Sequence, residues 1–460
     1  MTADSHTYDI VVVGAGTAGT FAAVTAAQAG VDVVMLERKS ESEAGHIACG
    51  DAIKGAETFP DVIDREHLRA EAFSNPNITR AVFGNPDSQE AIDIPFGEDK
   101  SGVVLDRKRY GEVLIEEADR SGTDVHYNTV VTDVIQEGQR VTGVRAQQAG
   151  EPVTYEAEVV IDATGAFSVL QDSADLTGTT FDTAVNFRQY CSAYREVIEV
   201  DEPVEYDDAI VFKPTEELGY LWYFPRSPTE INVGLGFQMT EDPMELVDVL
   251  RADLEARPEF KNARVVDKLG AALPTRRPYD SAVAPGFIAA GDAAAHVNPT
   301  TGGGIPGAAK AGTWAAEYAV EAIADGGPTE EALWGYNRDV MTDFGKRFAA
   351  MDLYNIWGTA HDIDELVDVV TAVPGQQLVD AVGRSGTASM GPLLKLRTLF
   401  ETFGHWGLLY ELYQIHEIAN DLKAVYEEYP ASPAEFSYWQ DRRDQLMDDV
   451  YAVSGATPKY

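Results

Sequence analysis

The sequence predicts an α/β chain with a parallel-sheet unit, a second domain on a mixed sheet, and a helical C-terminal region. Three observations carry that expectation. The stretch YDIVVVGAGTAGTFAAVTAAQAGVDVVMLERK, from Tyr8, reads as strand, glycine turn, helix and second strand. Two later apolar runs, EVVIDATG and GFIAAGD, each end in a turn of small residues. Beyond about Pro328, apolar residues recur at the spacing of amphipathic helices.

The first unit is the most specific. Tyr8 to Val13 is rich in β-branched residues, as a strand buried on both faces requires. Gly14, Gly16 and Gly19 then form G-x-G-x-x-G. The first glycine permits the tight turn, the second lets a pyrophosphate approach the backbone, and the third lets helix and strand pack closely. The helix from about Thr17 to Gln28 is alanine-rich and stops at Gly30. Its free N–H groups and partial positive charge suit phosphates. Val31 to Leu36 forms the second strand, and Glu37 at its end, with Arg38 beside it, sets a carboxylate where adenosine ribose hydroxyls would donate. That carboxylate would repel a 2′-phosphate, so FAD or NAD is expected over NADP.

Two later segments favour FAD. Glu158 to Gly165 is a second apolar strand ending in A-T-G, and Gly286 to Gly312 is a strand followed by Gly291-Asp292 and a glycine-rich helix entry. LDRKRYGEVLIEEADRSG, from Leu105, reads as a helix with Arg107 at its start. The three dispersed marks, G-x-G-x-x-G, A-T-G and G-D, resemble those of the FAD-containing hydroxylase-like flavoproteins, whose cofactor domain is Rossmann-like and of glutathione-reductase type. The resemblance implies that Gly165, Gly291 and Arg107 belong to the cofactor site and that Asp292 holds the ribityl chain. It also implies that the backbone around Gly303, Gly304 and Ile305 faces the flavin N1/O2 edge. Reduced flavin is anionic at N1, and a helix N-terminus stabilises such a charge. No second strand–glycine–helix unit is visible, since Val233-Gly234-Leu235-Gly236 lies inside a strand pattern. Electrons are therefore expected from a transiently bound NAD(P)H or from a protein donor such as ferredoxin.

GHIACGDAIKG, residues 45–55, holds one of only two cysteines. Cys49-Gly50-Asp51 follows the first unit, and GYLWYFP supplies Tyr220, Trp222, Phe224 and Pro225 as Y-x-W-x-F-P. With Arg107, Asp292 and HVNPTTGGGI, these resemble the archaeal geranylgeranyl reductases, which hydrogenate prenyl chains of membrane ether lipids or their precursors. A relative acting on the isoprenoid tail of a quinone belongs to the same kinship. The resemblance spans most of residues 8–320. It implies an FAD-dependent reductase with Cys49, Gly50 and Asp51 at the catalytic centre, and Tyr220, Trp222, Phe224, Pro225 and His296 near the substrate. The chemistry asks for such residues: an isolated alkene has no carbonyl to polarise, so hydride transfer must be coupled to protonation in a dry, apolar channel. Cys49 is expected at the flavin face as proton donor or positioning group, its thiol kept protonated by burial. Free cysteines also commonly just pack, as is expected of Cys191. Asp51 and His296 are alternative proton suppliers, or simply hydrogen-bonded loop residues. Tyr220, Trp222 and Phe224 share one side of a strand at period two, and can be sheet core and substrate wall together.

Composition bounds the rest. Asp+Glu is 76 against 35 Lys+Arg, a net charge of −41 spread along the chain. Such charge repels itself in dilute buffer, while molar salt shortens the Debye length to about 3 Å. A salt-rich, haloarchaeal-type cytoplasm is the expected setting, and nucleic acid is not an expected partner. Two cysteines exclude a disulfide scaffold or a cysteine-rich metal site, and no metal is expected. Neither a signal peptide nor a membrane span is read.

The FAD-binding domain is expected to be discontinuous, over 1–60, 101–170 and 270–328. The substrate domain is expected at 61–100 and 171–269, and helices over 329–460. These helices cap the tunnel, make a peripheral membrane contact, or pack as ordinary core, which the missing basic face favours. Three rivals share features. A flavin monooxygenase or halogenase has the same scaffold but a poorer aromatic match. A quinone reductase would carry a four-cysteine cluster absent here. A non-catalytic prenyl-binding escort is opposed by the intact Gly14, Gly16, Gly19, Glu37 and Asp292.

Overall fold

The computed structural model describes residues 4–84, 91–97, 101–215, 219–239, 244–362, 365–366 and 406–460. The chain opens with β1 (Asp4–Val13), α1 (Thr17–Gln28) and β2 (Val33–Leu36). There follow β3 (Ala52–Ile53), α2 (Arg65–Ala72), β4 (Phe73–Ile78), β5 (Arg80–Phe83), β6 (Ile92–Pro95), β7 (Gly102–Leu105) and α3 (Arg107–Arg120). Next come β8 (Asp124–His126), β9 (Thr129–Glu137), β10 (Arg140–Gln148), β11 (Glu151–Asp162) and α4 (Val169–Ser173). The middle of the chain carries β12 (Tyr190–Glu199), β13 (Ala209–Pro214), β14 (Gly219–Ser227), β15 (Glu230–Gln238), α5 (Glu245–Ala256) and β16 (Arg264–Pro274). β17 (Val283–Ala284) and β18 (Phe287–Ala289) precede α6 (Ile305–Ala324), α7 (Glu330–Val340), α8 (Lys346–Gly358), α9 (Trp406–Glu427) and α10 (Phe436–Ser454).

The strands form three sheets. An eight-stranded sheet follows the order β17-β18-β11-β1-β2-β8, with β10 paired to β11 and β9 to β10. Its β18, β11, β1, β2 and β8 run parallel, as the apolar strands Ile10–Val13 and Val159–Ile161 require. A seven-stranded sheet runs β16-β12-β15-β14-β13-β5-β6, and a small sheet runs β3-β7-β4. The V-G-L-G run lies within β15, as its pattern predicts.

Close backbone approach holds the first sheet to its helices. A Cβ on Gly19 would stand 1.8 Å from Gly14 O, so only glycine lets α1 meet the strand turn. α6 packs on α1 at the same height, where a Cβ on Gly312 would stand 2.1 Å from Ala18 O. α7 to α10 extend this core: Leu333, Trp334, Leu353, Ile415 and Trp439 belong to the same buried cluster as Ile10 and Val11. Residues 391–405, read from sequence as the start of a helix, lie outside the described residues.

The seven-stranded sheet has two unlike faces, because residues directly opposite on paired strands point the same way. Leu221, Tyr223, Val233, Leu235 and Phe237 form one face and bury Leu246, Leu250 and Leu254 of α5. The other face carries Tyr220, Trp222 and Phe224, opposite Gly236, Gly234 and Asn232. Ile78 of β4 and Val104 of β7 pack against Trp222 and Phe224, so the small sheet sits on this face.

β16 continues to Pro274, and Thr275 follows it directly. At that junction Lys459 Nζ donates to Thr275 O and, at 2.6 Å, to Asp352 Oδ1 of α8. Both charged side chains are buried there. Among the described residues no helix is long and apolar enough to cross a membrane.

Gly312→Ala should push α1 and α6 apart and cost about 2 kcal/mol of stability, read as a lower Tm in high salt.

Candidate active site

The nucleotide end is built on the turn after β1. Gly14 has φ 104, and a Cβ there would lie 2.4 Å from Ala163 O; glycine thus lets the A-T-G turn close on the glycine motif. Gly16 precedes α1, and its Cβ position has no neighbour closer than Ile47 Cδ1 at 3.8 Å, which leaves a cradle open. Glu37 is buried at the end of β2, its Oε2 accepting from Ala15 N (3.1 Å) and its Oε1 from Lys39 N (2.8 Å). Each oxygen keeps a lone pair for a ribose hydroxyl. Arg38 is exposed beside it.

Arg107 opens α3 because Asp106 caps that helix, its carboxylate accepting from Lys108 N and Arg109 N at 3.0 Å. Its guanidinium lies 4.7 Å over the Tyr110 ring and is only 4 % exposed. Arg107 Nε and Nη1 are buried without a hydrogen-bond partner among the described residues. A buried cation left unpaired costs several kcal/mol. Tyr110, under it, reaches Thr17 Oγ1 at the start of α1 (3.4 Å). A dinucleotide's phosphates are the groups this arrangement lacks, and the open Gly16 cradle gives them room.

Gly165, with φ 96, has open space around its Cβ position. The turn before it is held by Asp162, which sequence reasoning passed over. Its carboxylate accepts from Thr164 Oγ1 (2.6 Å), Ser168 Oγ (2.6 Å) and Gln171 Nε2 (2.8 Å). Burial raises the Asp162 carboxyl and these bonds oppose the rise. Gly291 has φ 68 and sits against Ala18. Asp292 is pushed up to about 6 by burial, with the Arg107 guanidinium opposing. Gly304 and Ile305 begin α6; a Cβ on Gly304 would be 3.6 Å from Asp292 Oδ1. Gly303 is exposed just ahead of it.

The second half of the site joins segments far apart in the chain. A Cβ on Gly50 would stand 2.9 Å from Phe224 Cε2 and 3.6 Å from the Trp222 ring, so the C-G-D turn lies flat on the aromatic strand. Tyr220, Trp222, Phe224 and Phe212 form a row of ring contacts, with Phe212 centred 5.3 Å from Tyr220 and 5.2 Å from Phe224. Gly234 makes room for this row, since its Cβ would meet Trp222 at 2.4 Å. The Tyr220 hydroxyl donates to Thr301 O (2.7 Å), which ties the strand to the loop before α6.

Cys49 is partly buried, and burial, then Asp51, raises its thiol; Arg107, the Asp51 N–H and Arg195 pull the other way. Asp51 N donates to Cys49 Sγ at 3.2 Å. Arg195 is almost wholly buried and its Nη1 binds Asp267 Oδ2 (2.5 Å), which also meets His46 Nε2 (2.8 Å). Neither Arg195 nor Asn232 was legible as a site residue. Cys191 packs as expected, its Sγ donating to Ser192 O.

Three of the expected site residues, Asp51, Pro225 and His296, have distinct surroundings. Asp51 Oδ2 accepts from Arg226 Nε (3.0 Å), Arg226 Nη2 (2.6 Å) and Asn232 Nδ2 (2.5 Å), which ties this carboxylate oxygen to β14 and β15. Pro225 pairs with Ile231 of the α5 side, so strand alternation turns it away from the Trp222–Phe224 face. His296 is fully buried between Tyr336 and Phe344, and its Nδ1 accepts from Gly291 N (3.1 Å). Burial pushes its imidazole down to about 3, so it is neutral near pH 7 and braces the G-D turn.

Comparison with known proteins decides the family. A model of FAD dependent oxidoreductases matches residues 9–217, and one of the geranylgeranyl reductase catalytic domain matches 189–273. The digeranylgeranylglycerophospholipid reductase of Methanothrix thermoacetophila is 33% identical over 356 residues, 74% of this chain and 85% of that protein. The chain belongs to the digeranylgeranylglycerophospholipid reductase family. The member from Methanoculleus marisnigri is 31% identical over 73% of this chain and 82% of its own length. That from Sulfolobus acidocaldarius is 26% identical over 96% of this chain and 98% of its own. Among solved structures, a geranylgeranyl bacteriochlorophyll reductase-like protein from Thermoplasma acidophilum superposes with a TM-score of 0.72 at 24% identity, over 89% of this chain and 100% of that one. A myxobacterial chondrochloren halogenase shares the fold at a TM-score of 0.62 and 18% identity, over 87% and 97%. The chain is an FAD-dependent oxidoreductase of this family, and the unpartnered Arg107 nitrogens and the open space at Gly16 leave room for such a cofactor.

Arg107→Gln should weaken FAD retention roughly tenfold to a hundredfold, the value of a charge-assisted pair, measured by flavin absorbance during dialysis. His296 has a folded pKa below its unfolded value, so its stabilising contribution is whole above about 6.5 and fades as pH falls toward 3. His296→Gln should therefore give a flatter Tm against pH over that window than the parent.

Proposed function

We propose that this chain saturates isolated double bonds in the prenyl chains of membrane ether lipids. The observation that carries the reading is the C-G-D turn laid against the Trp222–Phe224 face beside the Arg107 and Asp292 cofactor residues. Adding hydrogen across an alkene needs one hydride and one proton. Reduced FAD, when bound, supplies the hydride.

The chain's own residues supply the rest. The aromatic row offers an apolar wall that excludes water from a hydrocarbon chain. The Cys49 thiol holds the proton: burial and Asp51 keep it on sulfur near neutral pH. Once the proton leaves, the same sulfur faces the Arg107 and Arg195 guanidinium groups and the Asp51 N–H, which stabilise the thiolate until it is reprotonated. Glu37, Arg107 and Asp292 orient the cofactor. Electrons come from a donor that binds transiently, a nicotinamide or a ferredoxin-type protein, because the described residues hold a single glycine-motif unit.

The test is anaerobic. The FAD-loaded protein is reduced in high salt, geranylgeranyl lipid is added, and flavin reoxidation is followed with product mass. The reading expects reoxidation with a gain of two hydrogens per double bond. Cys49→Ala should slow that reoxidation roughly hundredfold or more, the usual worth of a general acid. Reoxidation by oxygen alone would overturn the assignment.

A further inference from the structure

We propose that Asn232 is a positioning residue of the reaction, which from β15 sets where the Cys49 sulfur stands. Its side chain is fully buried, and both ends of its amide are committed to this turn. Nδ2 donates to Cys49 O (2.9 Å) and to Asp51 Oδ2 (2.5 Å), while Oδ1 accepts from Trp222 Nε1 (2.9 Å). One amide thus joins the carbonyl of the cysteine, the carboxylate two residues on, and the indole of the aromatic wall.

Asp51 needs that restraint. Its φ of 71 lies in the left-handed region, which is uncommon for a non-glycine residue though more accessible to Asp than to most, and the bonds around it hold it there. Asn232 and Arg226 grip the carboxylate, and Leu105 N donates to Asp51 O (3.0 Å). Held in this conformation, Asp51 aims its own N–H at Cys49 Sγ. Asn232 therefore acts on the sulfur by two routes, through the Cys49 carbonyl and through the Asp51 turn.

The charged and titratable groups that face Cys49 are Asp51 in its own turn, Arg107 and Tyr110 of α3, Arg195 of β12 and Tyr220 of β14. None of them is Asn232, so a change there reaches the thiol by moving the turn. The inference rests on the assignment of Cys49 to the reaction, yet it can be read without any prenyl substrate.

The test is the pH profile of Cys49 alkylation by iodoacetamide in the FAD-loaded protein in high salt, with modification located by peptide mass. Asn232→Leu removes all three bonds at similar volume. Asn232→Asp keeps the acceptor for Trp222 and removes both donations. Val233→Ala, on the far face of the same strand, loosens packing without touching the turn. Both Asn232 variants should raise the alkylation midpoint by about one pH unit, because the thiolate loses the Asp51 N–H. In Asn232→Asp the added charge acts in the same direction. Val233→Ala should leave the midpoint where it is. An unchanged midpoint in either FAD-retaining Asn232 variant, or an equal shift in Val233→Ala, would overturn the proposal. Loss of FAD from both Asn232 variants would overturn it too, by assigning the residue to folding. A midpoint shift in a protein that fails to reduce prenyl lipid would sink the reductase reading, and with it the catalytic part of this proposal, while the hold of Asn232 on the Cys49 sulfur would be upheld.

Discussion

Contact between the backbone of Gly50 and the rings of Phe224 and Trp222 decides where the rest of the site stands. It brings a loop that follows the first βαβ unit onto a strand more than 160 residues later, with no side chain at Gly50 to hold them apart. Once the loop lies on that wall, Cys49 and Asp51 fall to either side of it, and Asn232 can reach both. The wall itself depends on a second vacancy of the same kind, at Gly234, where a methyl group would collide with the Trp222 ring. Two glycines, Gly50 in the loop and Gly234 in β15, therefore let a reactive turn settle against an aromatic face.

The electrostatics run against the character of the chain. The molecule carries a net charge of −41, yet three buried arginines gather around the C-G-D turn: Arg107 and Arg195 act on the thiol and Arg226 binds Asp51. Arg226 is spent on Asp51 and Arg195 on Asp267, while Arg107 is left with donors to spare. Burial alone would make the sulfur a poor acid. Cations placed close by keep deprotonation within reach, so the thiol can both hold and release a proton.

Sequence made the nucleotide end legible because each mark there is local. G-x-G-x-x-G between a strand and a helix, Glu37 at a strand end, and Arg107 behind a capping aspartate are all set by near neighbours. The shared face of Tyr220, Trp222 and Phe224 followed from period two, and the same alternation turns Pro225 away. Asn232, Arg226 and Arg195 were silent because their meaning comes from strand register and from a loop more than 140 residues distant. In sequence His296 reads as a proton supplier or a hydrogen-bonded loop residue; the rings of Tyr336 and Phe344, brought in by helix packing, enclose it. The extra length of β16 was hidden because its partner, β12, sits far off in the sequence.

The knot at Thr275 bears on how a long hydrocarbon reaches the wall. Lys459 ties the exit of the seven-stranded sheet to Asp352 of α8, inside the core that the cofactor domain shares with the C-terminal helices. Removing one partner of a buried charge pair of this kind costs roughly 3–5 kcal/mol, because the other is left buried and unpaired. The tie resists jaw-like parting of the sheet from the helices at this junction, and the prenyl chain of the proposed reaction would then reach the wall by sliding in past side chains, like a cord through an eyelet.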